Sequence, residues 1–259
     1  MNFELLFADQ SQPVRYALTG AKGGFSRTLL AQTLKMPRLT AAALCDLDVP
    51  GLRALCLELG FPSERLVECS DAQAIAAAPA DAIVLVADVE LLLQTQYDIL
   101  VEATGHPAIG YRTARRALEA GRHVAMVSKE VDAVSGITLS RLAARNKVVY
   151  TTGDGDQPAN LIGWVSWARV LGLDIVAAGK SSEYDLVFDP EAGTITQLDQ
   201  TIAAPAMGDL LRLGDDIPAT LPARRAALNG LKTSATADYC EMSVVATNTG
   251  MIPDVELLH

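Results

Sequence analysis

Three glycines crowd the stretch Gly20-Ala21-Lys22-Gly23-Gly24. Between a strand and a helix, such a run lets the backbone approach a phosphate while the helix's first N–H groups point at it. The full G-x-G-x-x-G spacing would put glycine where Lys22 and Phe25 stand, so an ordinary strand-to-helix turn remains an alternative. Asp46 follows Gly20 by 26 residues, a position from which a carboxylate can accept hydrogen bonds from ribose hydroxyls. That favours NAD, although nearby Arg53 keeps NADP open and an aspartate there also suits a helix cap. Glu102-Ala103-Thr104-Gly105-His106-Pro107 closes a later apolar run. Gly105 permits close approach of a nicotinamide, flanked by Ala103, Thr104 and His106, while His106 also reads as a plain loop residue. Lys129, in Val127-Ser128-Lys129-Glu130, is placed to polarise a carbonyl or hold an anionic substrate, and equally to be solvated at the surface.

These residues need a scaffold that brings strand ends together, and the hydrophobic pattern supplies one. Strand-like runs are expected at 14–19, 41–45, 65–69, 82–87, 97–103, 123–127 and 148–150. Helical patterns fill most of the gaps. One spans 26–34, and one runs from Asp48 and Pro50 to a stop at Gly60. Another begins near Ser70-Asp71, one covers 108–120 and ends at Gly121, and one covers 138–146. Segment 88–96 is a short helix or a loop. Repeated β-α alternation with continuously apolar strands means a doubly wound parallel sheet covered on both faces, a Rossmann α/β domain over residues 1–150. After that the rhythm changes. A helix is expected at 159–171 and strands at 174–178 and 241–246. The stretch 185–238 is loop-rich, with one helix near 221–231, and 151–259 as a whole reads as a second, α+β domain.

Net charge is −10, which disfavours binding to a phosphate backbone, so no nucleic-acid partner is expected. Cys45, Cys56, Cys69 and Cys240 show no C-x-x-C pair and no zinc-like spacing, and are expected to be free thiols in a reducing compartment. The start MNFELLFADQ has no signal-peptide pattern, and no apolar stretch is long enough to span a membrane. A cytoplasmic protein without a membrane partner is the expectation.

The run Val101-Glu102-Ala103-Thr104-Gly105, followed by Ala120-Gly121-Arg122-His123-Val124 and Ser128-Lys129, resembles the "E-x-T-G … A-G-K-H-V … N-K" series of homoserine dehydrogenases. Gly155-Asp156-Gln157-Pro158, Ala177-Ala178-Gly179-Lys180, and Glu241-Met242 with Ala246-Thr247-Asn248-Thr249-Gly250 resemble a branch of homoserine-dehydrogenase-like oxidoreductases that carries a C-terminal SAF domain. That branch includes the deoxyxylulose-phosphate-reductoisomerase-like enzymes of isoprenoid precursor synthesis. The resemblance implies an NAD(P)-binding Rossmann domain, a catalytic and dimerisation domain at 151–259, a homodimer, and hydride transfer with a small hydroxy or carbonyl compound. Lys180 or Lys129 would stabilise a developing alkoxide, Asp156 would relay a proton, and Glu241 would join them. Two other readings are a reductoisomerase of branched sugar phosphates, with a divalent metal on Asp156 or Glu241, and an NAD(P)-binding sensor without turnover. The sequence departs from its relatives at Lys22, at Phe25 and at Ser181-Ser182-Glu183-Tyr184, and it stops before a SAF domain.

Overall fold

A computed structural model describes residues 2–180 and 185–254. The chain divides into two compact units, Met1–Asp156 and Gln157–His259.

The first unit opens with a four-residue helix, α1 (Phe3–Leu6), and continues as alternating strands and helices. In chain order these are β1 (Val14–Thr19), α2 (Gly24–Thr33), β2 (Leu39–Cys45), α3 (Val49–Leu59), β3 (Leu66–Glu68), α4 (Ala72–Ala77), β4 (Ile83–Val86) and α5 (Val89–Leu92). There follow β5 (Ile99–Glu102), α6 (Pro107–Glu119), β6 (His123–Met126), α7 (Lys129–Asn146) and β7 (Tyr150–Thr152). The seven strands are parallel in the order β3-β4-β2-β1-β5-β6-β7. Successive strand side chains point to opposite faces, and both faces are covered. Tyr16, Leu18 and Leu44 pack on one side with Leu30 of α2 and Leu52 and Cys56 of α3. Ala17 and Leu100 pack on the other with Ala114 and Leu118 of α6 and Leu139 of α7. This is a doubly wound Rossmann-type sheet.

Local chemistry sets the element ends. Asp48 Oδ1 accepts from Gly51 N at 2.9 Å, Pro50 sits in the first turn of α3, and Gly60 closes that helix with φ of 100°. Asp71 caps α4 in the same way through Ala74 N at 2.8 Å. The helix expected from residue 138 starts earlier, at Lys129, so α7 has 18 residues and Lys129 opens a helix instead of ending a strand.

The second unit has α8 (Gln157–Val170), an antiparallel sheet of β8 (Val187–Asp189), β9 (Thr194–Gln197) and β10 (Gln200–Ala203), then α9 (Met207–Leu210), α10 (Ile217–Ala227) and α11 (Thr236–Thr249). Its small core gathers on Ile195, Ala204 and Met207. Three expectations are corrected here. Residues 241–246 lie inside α11, which packs on α8, and Arg169 of α8 donates to the Thr249 carbonyl at 2.7 Å. The strand expected at 241–246 is therefore a helix. Residues 174–178 form no strand, because Val176 is fully exposed and no neighbouring strand pairs with the run among the described residues. The stretch expected to be loop-rich holds the three-stranded sheet. No described helix is long and apolar enough to cross a membrane.

Candidate functional site

The strand order reverses between β1 and β5, whose carboxyl ends lie side by side. In open α/β sheets that reversal leaves a crevice in which ligands bind. The loop after β1 and the loop after β5 meet at this point. Gly20 holds φ at +62°, and a Cβ added to it would collide with the Ala103 carbonyl, its carbonyl carbon only 2.9 Å away. Glycine is therefore required by both backbone conformation and space.

The glycine loop is knitted to its surroundings. Ala21, fully buried, donates to the Cys45 carbonyl at 3.1 Å, Lys22 N to Asp46 Oδ2 at 3.0 Å, and Gly23 N to the Gly20 carbonyl at 3.0 Å. These three amides hold the loop's own shape. The amides that could meet a phosphate are those of Gly24 and Phe25, in the first turn of α2, where a helix has no acceptor for them. A Cβ on Gly24 would meet nothing within 4 Å, so this face of the turn is open. Ser26, absent from the sequence-based candidates, is fully buried and donates to the Gly20 carbonyl at 2.8 Å. It supplies the small residue that close packing of helix on strand requires, a duty the G-x-G-x-x-G spacing gives to Phe25.

Asp46 has a structural role of its own. Its second oxygen accepts from Asp48 N at 3.2 Å, so the carboxylate braces the turn while each oxygen keeps a further lone pair. Lys22 folds over the same corner and ion-pairs with Asp48, which raises the lysine's pKa and lowers the aspartate's. Arg53 is turned elsewhere, donating to the Leu66 carbonyl at 2.7 Å with Glu68 at 3.8 Å. Cys45, beside Asp46 and Asp88, has its thiol pushed up to about 12 by burial and then by those charges. Cys45, Cys56 and Cys69 are buried thiols outside any disulfide.

The loop after β5 rests on Glu102, a fully buried carboxyl that sequence reasoning quoted but did not single out. Its Oε1 accepts from Thr104 Oγ1 at 2.5 Å, Thr104 N at 3.1 Å and Thr19 Oγ1 at 3.2 Å. Thr19 in turn accepts from Ala103 N at 3.1 Å, and Ser128 Oγ accepts from Gly105 N at 2.8 Å. Gly105 has φ of +67°, and exposed His106 is the N-cap residue of α6 without a side-chain cap bond. Lys129 opens α7 directly after Ser128, half-buried at the carboxyl edge.

In the second unit Lys180 Nζ donates to Gln157 Oε1 at 2.7 Å, approaches Asp238 Oδ1 at 2.6 Å and ion-pairs with Glu241. Asp238 and Glu241 lie three apart on one face of α11, and Glu241 is 1% exposed. Burial alone lowers the lysine's pKa, but the bonds and charges of Asp238 and Glu241 outweigh it, so Lys180 stays an ammonium. The ammonium meets one amide oxygen and faces two carboxylates. Gln157 and Asp238 were not foreseen from the sequence. Asp156 closes the first unit, one residue before Gln157. Residues 181–184, where the sequence departs from the pattern it resembles, lie outside the described residues. No cluster of three or more His, Cys, Asp or Glu side chains able to hold a metal occurs among the described residues.

No protein-family model and no curated protein matches the chain. Solved structures do. It is similar to the WlbA dehydrogenase from Bordetella pertussis in complex with NADH and UDP-GlcNAcA, with 18% identity, a TM-score of 0.41, and 62% of this chain and 43% of that one covered. It is also similar to 1-deoxy-D-xylulose 5-phosphate reductoisomerase from Zymomonas mobilis in complex with NADPH, with 17% identity, a TM-score of 0.43, and 60% and 41% covered. A dehydrogenase from Chromobacterium violaceum gives 19% identity, a TM-score of 0.43, and 61% and 41%. The chain thus spans less than half the length of each.

Proposed function

We propose that this protein is an NAD(P)-dependent oxidoreductase, of homoserine-dehydrogenase-like type, that moves a hydride between nicotinamide and a small anionic hydroxy or carbonyl compound. The observation that carries the reading is the meeting of the Gly20 turn and the Ala103 carbonyl where the strand order reverses. A dinucleotide fits what is there. The open first turn of α2 offers the Gly24 and Phe25 amides to a pyrophosphate, and the Asp46 lone pairs face the ribose corner. Ala103, Thr104, Gly105 and His106 border the place a nicotinamide would take, their backbone fixed by Glu102 and Ser128. Bound there, the cofactor supplies the hydride-accepting ring. Asp46, Asp48 and Asp88 outnumber Lys22 in that corner, and Arg53 is occupied, which disfavours a 2′-phosphate and points to NAD over NADP.

Carbonyl reduction builds negative charge on oxygen, which a fixed ammonium stabilises. Lys129 stands at the carboxyl edge of the sheet, and Lys180 is held protonated by its two carboxylates. For Lys180 to act, the substrate oxygen must replace one of its present acceptors, Gln157 Oε1 being the uncharged one. Asp156 serves as the proton relay in this reading. The arrangement of Glu241, already paired with a cation, weighs against the sugar-phosphate reductoisomerase with a metal on that residue.

The test is a screen of small hydroxy acids and sugar phosphates for NAD+ reduction, followed at the nicotinamide absorbance. Turnover is expected with at least one hydroxy acid, and Lys180→Met is expected to lower it by roughly 10²–10³ with cofactor affinity retained. Lys129→Met should weaken both. Near-normal turnover in Lys180→Met would remove that lysine from the mechanism. Cofactor that binds and stays unchanged with every compound would favour the sensor.

A further inference from the structure

We propose that the first unit has a second ligand site, at the amino end of its sheet, that binds a small organic carboxylate with a short hydrocarbon body. A cavity of about 430 Å³ lies there. Its lining includes Arg15, the second residue of β1, Val84, the second of β4, and Gln94, Thr95 and Gln96 on the approach to β5. These positions are at the opposite ends of the strands from Gly20 and Ala103, so the cavity is separate from the dinucleotide crevice.

Two features of the chain open it. Tyr16 pairs with Ala41 and Ala17 with Ala43, which leaves Ala42 as an extra residue without a partner on β1. Bulges are rare in parallel pairs, and where they occur they bend a strand and re-aim its side chains. The wall opposite is built from Ala72, Ile75 and Ala76 of α4 and from the Ala78-Pro79-Ala80 turn. Alanine stands where larger side chains would fill the gap between helix and sheet. Half of the lining residues are exposed, so the cavity opens to solvent, and its volume lies within the range of ligand pockets, which begin at about 300 Å³.

The polar groups choose the ligand. None of the lining residues is acidic, on a chain with a net charge of −10. The backbone of Arg15 is pinned, its N–H donating to Asp98 Oδ2 at 2.8 Å and its carbonyl accepting from Asp98 N at 2.8 Å. Its guanidinium makes no ion pair or hydrogen bond among the described residues. A guanidinium on a held stretch of backbone, with no ion-pair partner among the described residues, matches a carboxylate's two oxygens at the cavity. Gln96 uses its Oε1 to accept from Arg122 at 3.3 Å, which turns its NH2 into a further donor. The head of the ligand therefore lies on Arg15 and Gln96, and its hydrocarbon body on Ala42, Ile75 and Ala76.

Calorimetric titration of the full chain with benzoate and 4-methylpentanoate tests this, with acetate and inorganic phosphate in parallel. Saturable binding of at least one of the two longer acids is expected, with acetate and phosphate roughly tenfold weaker or worse. Arg15→Gln should weaken the carboxylate by roughly tenfold or more. Ala76→Leu, at an exposed position that leaves the fold alone, should abolish binding by filling the cavity mouth. Absence of saturable binding for both longer acids overturns the proposal. So does equal binding of phosphate, or binding that neither variant alters.

Discussion

Asp132 and Glu102 are both buried, at 4% and 0% exposure, and each leaves one carboxyl oxygen without a hydrogen-bond partner among the described residues. For Asp132 the consequence is a pKa raised by burial and only partly restrained by the Tyr150 hydroxyl, which donates to Oδ1 at 2.7 Å. Unfolded, the same carboxyl ionises near its ordinary value of about 3.9. Between the two values the native state holds a proton that the unfolded chain has released, so this residue favours folding at low pH, and that contribution is lost as pH rises through the folded value. Asp132→Asn, which keeps an oxygen for Tyr150, should therefore gain more in melting temperature over the parent at pH 8 than at pH 5. An equal gain at both pH values would contradict this. Thr19→Val tests the neighbouring network. It preserves shape while leaving Ala103 N without its acceptor and Glu102 short of a donor, and should cost about 1–3 kcal/mol by chemical denaturation. Individual residues were legible where their spacing mattered. Gly20 and Asp46 stood out from their distance along the chain. Glu102, Ser26 and Asp238 did not, because their roles arise only when segments far apart in sequence meet.

At the scale of elements, most strands and helices of the first unit were readable because strands such as β1, β2 and β4 are short apolar runs followed closely by a glycine or an aspartate. Reading failed where local signals and tertiary packing disagree. The β9–β10 hairpin turns through Leu198, with φ of 56°, and Asp199, so it has none of the Asn-Gly or Gly signals that mark two-residue turns. Helix α11 is rich in Val and Thr, which favour strands, but Val244 and Val245 are buried against their unit and α8 supplies the packing surface. Conversely, 174–178 has strand composition and pairs with no strand among the described residues. Lys180 follows that stretch, so its position is set by Gln157, Asp238 and Glu241 instead of by a sheet edge.

At the scale of the molecule, the sequence foretold a doubly wound sheet, and the seven parallel strands supply it, adding the order reversal that composition could not show. The second unit exposes Trp164, Trp167 and Val170 along α8, at 71%, 59% and 85% exposure. An apolar stripe of this kind on an otherwise acidic protein is suited to a second copy of the chain. Sedimentation at micromolar concentration should give twice the chain mass, and Trp164→Glu with Trp167→Glu should return the monomer; a monomeric parent would contradict a homodimer. The account as a whole rests on dinucleotide binding at the reversal of strand order. Gly20→Val is a poor probe of it, because the side chain would strike the Ala103 carbonyl and damage the fold itself. Gly23 is a better one. It has an ordinary φ of −63°, and a Cβ there would come no closer than 3.3 Å, to the Gly20 carbonyl. Calorimetric titration of the parent and of Gly23→Val with NADH and NADPH is the most direct measurement. The parent should bind one NADH per chain at about 1 µM to 1 mM, more tightly than NADPH, and Gly23→Val should lose roughly tenfold or more while melting within a few degrees of the parent. No binding of either dinucleotide by the folded parent, or unchanged affinity in a folded Gly23→Val, would contradict the account.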